Sequence, residues 1–246
     1  QSMAWKNFVW ILNLAYSVPL VWDPIESSPP QSVRITLKFK KKQASRDQVA
    51  VMSWNIQDST GDGSNKFENK EFLSILKQAN ILCLQETKKQ VKIEGYLSFN
   101  SNRKNSRSGG VCILAENDLR KGVSSVLCSE SDDIIVVKLD KNFLKLDFDL
   151  FLVCYYISPA YSSYVKKNPD YTANTFSALD SICIRLRQKG EVIMCGDANA
   201  RTGKLPDYIL WACNAPAMHD IYNDIGLEHD IEEPRNNSDL TISEPH

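Results

Sequence analysis

The chain has 246 residues, 43% of them hydrophobic and 24% charged, with a formal net charge of −1. That balance fits a folded globular protein and excludes a polycation, so any grip on nucleic acid has to be local. The length suits one large domain or two small ones.

Phe8 to Trp22 is apolar and follows Lys6, which loosely resembles a signal-peptide core. It is short for a membrane span, and Asn13 and Pro19 interrupt it, so no membrane association is expected. The chain starts at Gln1, and a foreign or mis-joined N-terminal segment is the reading set against a secretory signal. Ser27-Ser28-Pro29-Pro30 marks a linker. Val33, Ile35, Leu37 and Phe39 alternate with polar residues as in a half-solvated strand, which Lys40-Lys41-Lys42 extends as a solvated edge. Residues 1–47 are thus expected to be an N-terminal extension of unknown role, and 48–246 the main domain.

Within that domain Val49 to Trp54 reads as a strand ending at Asn55. Phe72, Leu73, Leu76 and Ala79 then form a helical stripe, and a strand Ile81 to Gln85 leads into Glu86. Further strands are expected at Gly110 to Leu114, Ile134 to Leu139 and Phe148 to Tyr155. A helix from Thr172 to Lys189 carries Phe176, Leu179, Ile182 and Leu186, with Gly190 as its stop. A buried strand, Val192 to Cys195, then runs into Gly196-Asp197-Ala198-Asn199. Strands alternating with helices point to α/β class, a layered sandwich of two packed β-sheets flanked by helices.

The seven cysteines form no C-x-x-C pair, and several sit inside apolar runs. They read as reduced core thiols of an intracellular protein, the nucleus included. The three histidines lie far from any paired cysteines, which argues against zinc. Three strand ends instead deliver a carboxylate or carboxamide: Asn55, Glu86 and Asp197. Ligand sites of layered α/β proteins are commonly built from such ends. Hard divalent cations want oxygen ligands, and phosphoryl chemistry wants a cation beside a positioned base. The competing reading is a plain turn at Asp197 and Asn199.

Taken in order, Ser53-Trp54-Asn55, Leu84-Gln85-Glu86-Thr87, Ser108-Gly109-Gly110-Val111, Tyr156-Ile157-Ser158-Pro159 and Gly196-Asp197-Ala198-Asn199 resemble the endonuclease/exonuclease/phosphatase superfamily. The resemblance spans residues 48 to 240. Asn199-Ala200-Arg201-Thr202-Gly203 and Leu205-Pro206-Asp207-Tyr208-Ile209 look like the endonuclease domain of non-LTR retrotransposons. It implies Mg²⁺-dependent cleavage of a phosphodiester, with Mn²⁺ as a substitute. By the same resemblance Glu86 binds the metal and Asn55 supports it. Asp197 activates water, Asn199 holds a phosphate oxygen, and Tyr156 donates a hydrogen bond there; packing is the competing reading of Tyr156. Lys88, Lys89, Lys92, Arg103, Lys104 and Arg107 face Glu94 alone in one stretch, a pattern suited to DNA backbone phosphates or to a simply solvated loop. Of these, Lys88, Lys89, Arg103, Lys104 and Arg107 are the candidate nucleic-acid contacts.

The superfamily's terminal Ser-Asp-His motif is absent: Ser238-Asp239 is followed by Leu240. Residues 200–246 contain no convincing pair of terminal strands, so the domain is expected to be incomplete at its C-terminal end and inactive or weakly active. Two alternatives stay open. One is a non-catalytic nucleic-acid-binding remnant; the other is a phosphatase acting on a small phosphoester such as a phosphoinositide.

Overall fold

Apolar side chains stand at almost every position of 49–54, 81–84 and 150–156, the signature of strands covered on both faces. The computed structural model describes residues 7–12, 20–22, 32–38, 48–58, 60–61, 64–104, 108–126 and 130–199. In chain order the strands are β1 (Asn7–Leu12), β2 (Leu20–Trp22), β3 (Ser32–Lys38), β4 (Gln48–Asn55), β5 (Thr60–Gly61), β6 (Ser64–Asn65) and β7 (Ile81–Gln85). They continue as β8 (Tyr96–Ser101), β9 (Val111–Glu116), β10 (Val123–Val126), β11 (Ile134–Leu139), β12 (Asp149–Tyr156) and β13 (Gly190–Asp197). The helices are α1 (Lys70–Leu76), α2 (Lys141–Leu144), α3 (Ser163–Lys167) and α4 (Tyr171–Arg187).

Two sheets result, in the orders β1-β13-β12-β11-β10 and β2-β3-β4-β7-β9-β8, with β5 and β6 as a separate ribbon. Each large sheet has one parallel pair, β12–β13 and β4–β7, and its other pairs are antiparallel. Parallel neighbours need a crossover, which α1 supplies between β4 and β7 and α4 between β12 and β13. Alternation then sorts the side chains. Val49, Val51, Ile81 and Cys83 meet Leu150, Leu152, Cys154, Ile193 and Cys195 between the sheets. Met52, Trp54, Leu82 and Leu84 pack on the opposite face with Leu76 of α1. Phe151, Val153 and Val192 pack with Leu179, Ile182 and Leu186 of α4. This is the α/β sandwich expected.

Local expectations needed correction at several points. β3 is an interior strand, flanked by β2 and β4, with Leu37 wholly buried, so it is not a solvated edge. The apolar stretch 8–22 contributes β1 and β2, so strands hydrogen-bonded into both sheets already occur before residue 48. Phe176 is 49% exposed, and the buried stripe of α4 runs through Thr175, Ala178, Leu179, Ile182, Cys183 and Leu186. Gly190 is the first residue of β13 and not a helix stop; a Cβ there would lie 2.1 Å from the Asp149 carbonyl oxygen. β8 is formed by half-buried residues without a strong apolar pattern, which is why it left no clear mark in the sequence. No helix among the described residues is long and apolar enough to cross a membrane. The expectations for residues 200–246 fall outside the described residues.

Candidate active site

The space between the sheets is apolar along most of its length and turns polar at one end. Continuing the inward-facing alternation along each parallel strand gives Ser53 and Asn55 on β4, Gln85 on β7, Tyr156 on β12 and Asp197 on β13. These are the C-terminal ends of both parallel pairs, with Asn55 opposite Gln85 and Tyr156 opposite Asp197 in register. Asp197 is fully buried, Asn55 is 2% exposed and Tyr156 4%.

Chain reversal just past β7 turns Glu86 toward the same place. Its φ of +56° is left-handed, a conformation that ordinary residues seldom adopt outside functional turns. The turn is held by Asp58 N–H donating to the Glu86 carbonyl at 2.9 Å, and by Thr87 and Lys88 N–H groups donating to the Gly110 and Gly109 carbonyls. One amide then joins two acids from distant parts of the chain. Asn55 Nδ2 donates to Glu86 Oε1 at 2.8 Å and to Asp197 Oδ2 at 2.6 Å, while Asn55 Oδ1 accepts from Gln57 N–H at 3.0 Å.

Asp197 Oδ1 accepts the Asn199 N–H at 2.8 Å, and Asn199 Nδ2 donates to the Ile157 carbonyl at 2.7 Å. The turn that competed with a functional reading is therefore real, and it is also what brings Asn199 to the pocket. Burial pushes the Tyr156 pKa well up and the Glu86 and Asp197 carboxylates add to this, so the phenol keeps its proton at any physiological pH.

Of the residues expected at the site, Asn55, Glu86, Tyr156, Asp197 and Asn199 converge. The basic set does not behave as a unit. Lys89 and Lys104 are exposed. Lys88 is partly exposed and pairs with Asp58 at 3.0 Å. Arg107 lies outside the described residues. Arg103 departs from the expectation of a solvent-facing cation, because its side chain is 2% exposed and ion-paired with Asp133, which is equally buried. Its Nε is 2.7 Å from Asp133 Oδ2, Nη1 donates to Ser108 Oγ at 3.0 Å, and Nη2 donates to Ser158 Oγ and Tyr171 Oη, each at 2.8 Å. The guanidinium also lies 3.6 Å from the centre of the Tyr164 ring and 4.9 Å from that of Tyr171. Asp133, Ser158 and Tyr171 were missed as site neighbours. Asp133 carries a signal, since it directly precedes the apolar run Ile134 to Val137, much as Glu86 follows one with Gln85 between.

No group of three Asp, Glu, His or Cys gathers as a metal cluster among the described residues. The pocket does gather two carboxylates on one amide, and all of its donors are oxygens. That set fits a hard cation that keeps most of its waters, Mg²⁺ or Mn²⁺, and does not fit a structural zinc with four nitrogen or sulfur ligands.

No family model and no curated protein matches the chain. Solved structures do. The AP endonuclease LMAP from Leishmania major aligns with a TM-score of 0.50 at 16% identity, over 78% of this chain and 64% of its own. The two chains share a fold. The catalytic domain of Xenopus laevis APE2 aligns with a TM-score of 0.48 at 20% identity, over 70% of this chain and 67% of its own. The chain thus spans about two thirds of the length of these two structures. At these identities the likeness concerns the fold alone.

Proposed function

We propose that the polar end of the inter-sheet space is a Mg²⁺-dependent phosphodiester-cleaving site of the retrotransposon endonuclease type, acting on DNA, with turnover near background in this chain. The observation that carries the reading is the Asn55 amide, which hydrogen-bonds both Glu86, 31 residues away in sequence, and Asp197, 142 residues away. Glu86, supported by Asn55, would hold the metal, which when bound supplies charge neutralisation at the phosphoryl group.

The remaining roles belong to the chain. Asp197, held by the Asn55 amide and the Asn199 N–H, would orient a water and take its proton as the oxygen–phosphorus bond forms. Asn199 and the protonated Tyr156 would hold a non-bridging oxygen, where charge develops. The likeness to an AP endonuclease supports a nucleic-acid substrate, and exposed Lys89 and Lys104 suit its backbone. The weak point is stabilisation of the phosphoryl transition state. The three histidines are 219, 229 and 246, none of them in a Ser-Asp-His sequence, so the histidine that the superfamily resemblance implies for this role has no counterpart at its usual motif. Loss of one member of a catalytic unit costs several orders of magnitude.

Electron paramagnetic resonance with Mn²⁺ tests the pocket. One saturable site is expected, weakened about tenfold or more by Glu86→Gln; no saturable binding by the parent protein overturns the reading. Supercoiled plasmid with Mg²⁺ tests turnover. Nicking at the level of the Asp197→Ala variant is expected, and nicking that this substitution abolishes would show the site to be competent as it stands.

A further inference from the structure

Between β4 and β7 the hydrogen-bond ladder continues past the strand ends and loses its regularity there. The Ile56 N–H donates to the Gln85 carbonyl at 3.1 Å. Two residues on, an evenly spaced parallel ladder reaches the Thr87 carbonyl. The Asp58 N–H reaches the Glu86 carbonyl instead, at 2.9 Å. One extra residue is thus accommodated on the β4 side, and the backbone shows where. Gln57 and Asp58 have φ values of +51° and +93°, and Glu86 and Lys88 stand opposite at +56° and +55°. Non-glycine residues hold such conformations only where their surroundings fix them.

The Glu86 turn is fixed from two sides. On one, the Thr87 and Lys88 N–H groups donate to the Gly110 and Gly109 carbonyls at 3.2 and 2.9 Å. On the other, Asp58 grips both ends of the turn. Its N–H meets the Glu86 carbonyl, and its Oδ2 accepts from Lys88 Nζ at 3.0 Å. The backbone bonds form whatever side chains stand here, whereas the ion pair needs these two. Its side chains are 34% and 22% exposed, so it adds little to global stability. What it closes is the turn that presents Glu86, whose Oε1 accepts from Asn55 Nδ2 at 2.8 Å. Asn55 Oδ1 in turn accepts the N–H of Gln57, the neighbour of Asp58.

We propose that Asp58 and Lys88 are positioning residues, whose ion pair closes the Glu86 turn and sets the angle at which the Glu86 carboxylate meets a cation. Lys88, which charge counting along the chain assigns to DNA, is engaged by Asp58 and acts on the metal site through the turn. The functional part of this inference rests on the metal reading above; the closing of the turn does not.

Amide hydrogen exchange and Mn²⁺ affinity separate these parts. In metal-free protein the Asp58 amide is expected to exchange about two- to fivefold faster in Lys88→Met, the range a half-exposed pair supplies, and at the parent rate in Lys88→Arg, which keeps the charge. An unaltered rate in Lys88→Met overturns the clamp whether or not metal binds. Should Lys88→Met fail to fold, Asp58→Asn, a side chain that tolerates left-handed backbone, is read the same way through the Lys88 amide. Mn²⁺ affinity gives the functional arm. It is expected to fall about fivefold in Lys88→Met and in Asp58→Asn, to fall no further when the two are combined, and to return in Lys88→Arg. The melting temperature should move by no more than about 4 °C in any of these variants. A pair that merely stabilised the fold would leave the affinity of folded protein unchanged, and that result, or additive losses, overturns the positioning role. A parent protein that binds no Mn²⁺ sinks the metal reading, and the exchange rate still decides the clamp.

Discussion

Replacing Asp133 by asparagine will lower the melting temperature by about 6–20 °C. The substitution keeps shape and removes charge, leaving the Arg103 guanidinium buried with no carboxylate beside it. Breaking a buried pair from one side costs about 3–5 kcal/mol, and each kcal/mol moves the transition of a domain this size by about 2–4 °C. Burial alone would lower the Arg103 pKa and the attraction of Asp133 outweighs it, raising the value; a guanidinium does not deprotonate in proteins, so the arginine stays charged in the variant as well. Tyr171 loses a partner too, since its hydroxyl donates to Asp133 Oδ2 at 2.7 Å. The pair Arg185–Glu130 is the control: its side chains are 44% and 28% exposed, and Glu130→Gln should cost about 1 kcal/mol at most. Differential scanning calorimetry reads both. Equal shifts for the two substitutions would show that burial of the Arg103 pair does not govern stability. Arg103→Met combined with Asp133→Leu should recover most of the loss, because neither charge then remains to be buried alone.

Gly110→Ala is expected to cost about 2–4 kcal/mol and to weaken metal binding together with it. Gly110 has a φ of +87°, where a side chain brings about 1–3 kcal/mol of strain. The added Cβ would also lie 2.5 Å from Asn102 Oδ1 and 2.8 Å from Thr87 Oγ1, and overpacking of that kind costs about 1–3 kcal/mol. Relaxation makes the two costs less than additive. The same residue's carbonyl accepts the Thr87 N–H at 3.2 Å, so relief of the clash moves the turn that presents Glu86. Urea unfolding measures the stability, and Mn²⁺ titration measures the turn. A midpoint unchanged from the parent would mean that the backbone accommodates a side chain there.

Much of the site was legible because its residues stand at boundaries of hydrophobic runs. Asn55 follows apolar strand residues directly, and Glu86 and Asp197 follow them after a single residue, Gln85 or Gly196; a polar group in that position marks a strand end wherever the strand goes. The Gly196-Asp197-Ala198-Asn199 turn was legible for a local reason as well, since Asp197 bonds the backbone two residues on. Interior placement of β3 was not legible. Its charged flank reads as an edge, and only the pairing of β2 on its far side covers it.

Arg103 shows where such reading stops. Along the chain it is one cation among Lys88, Lys89, Lys92 and Lys104, and nothing nearby in sequence distinguishes it. Its partner Asp133 is 30 residues away and Ser158 is 55, on the loops that enter and leave the other sheet's strands. Hydrophobic period and strand-end polarity are properties of neighbouring residues, so composition and order alone settle the class of fold and name most of the pocket. Burial is a property of the packed molecule. Which charge is desolvated, and therefore which one must find a partner, is decided only when the two sheets close on each other.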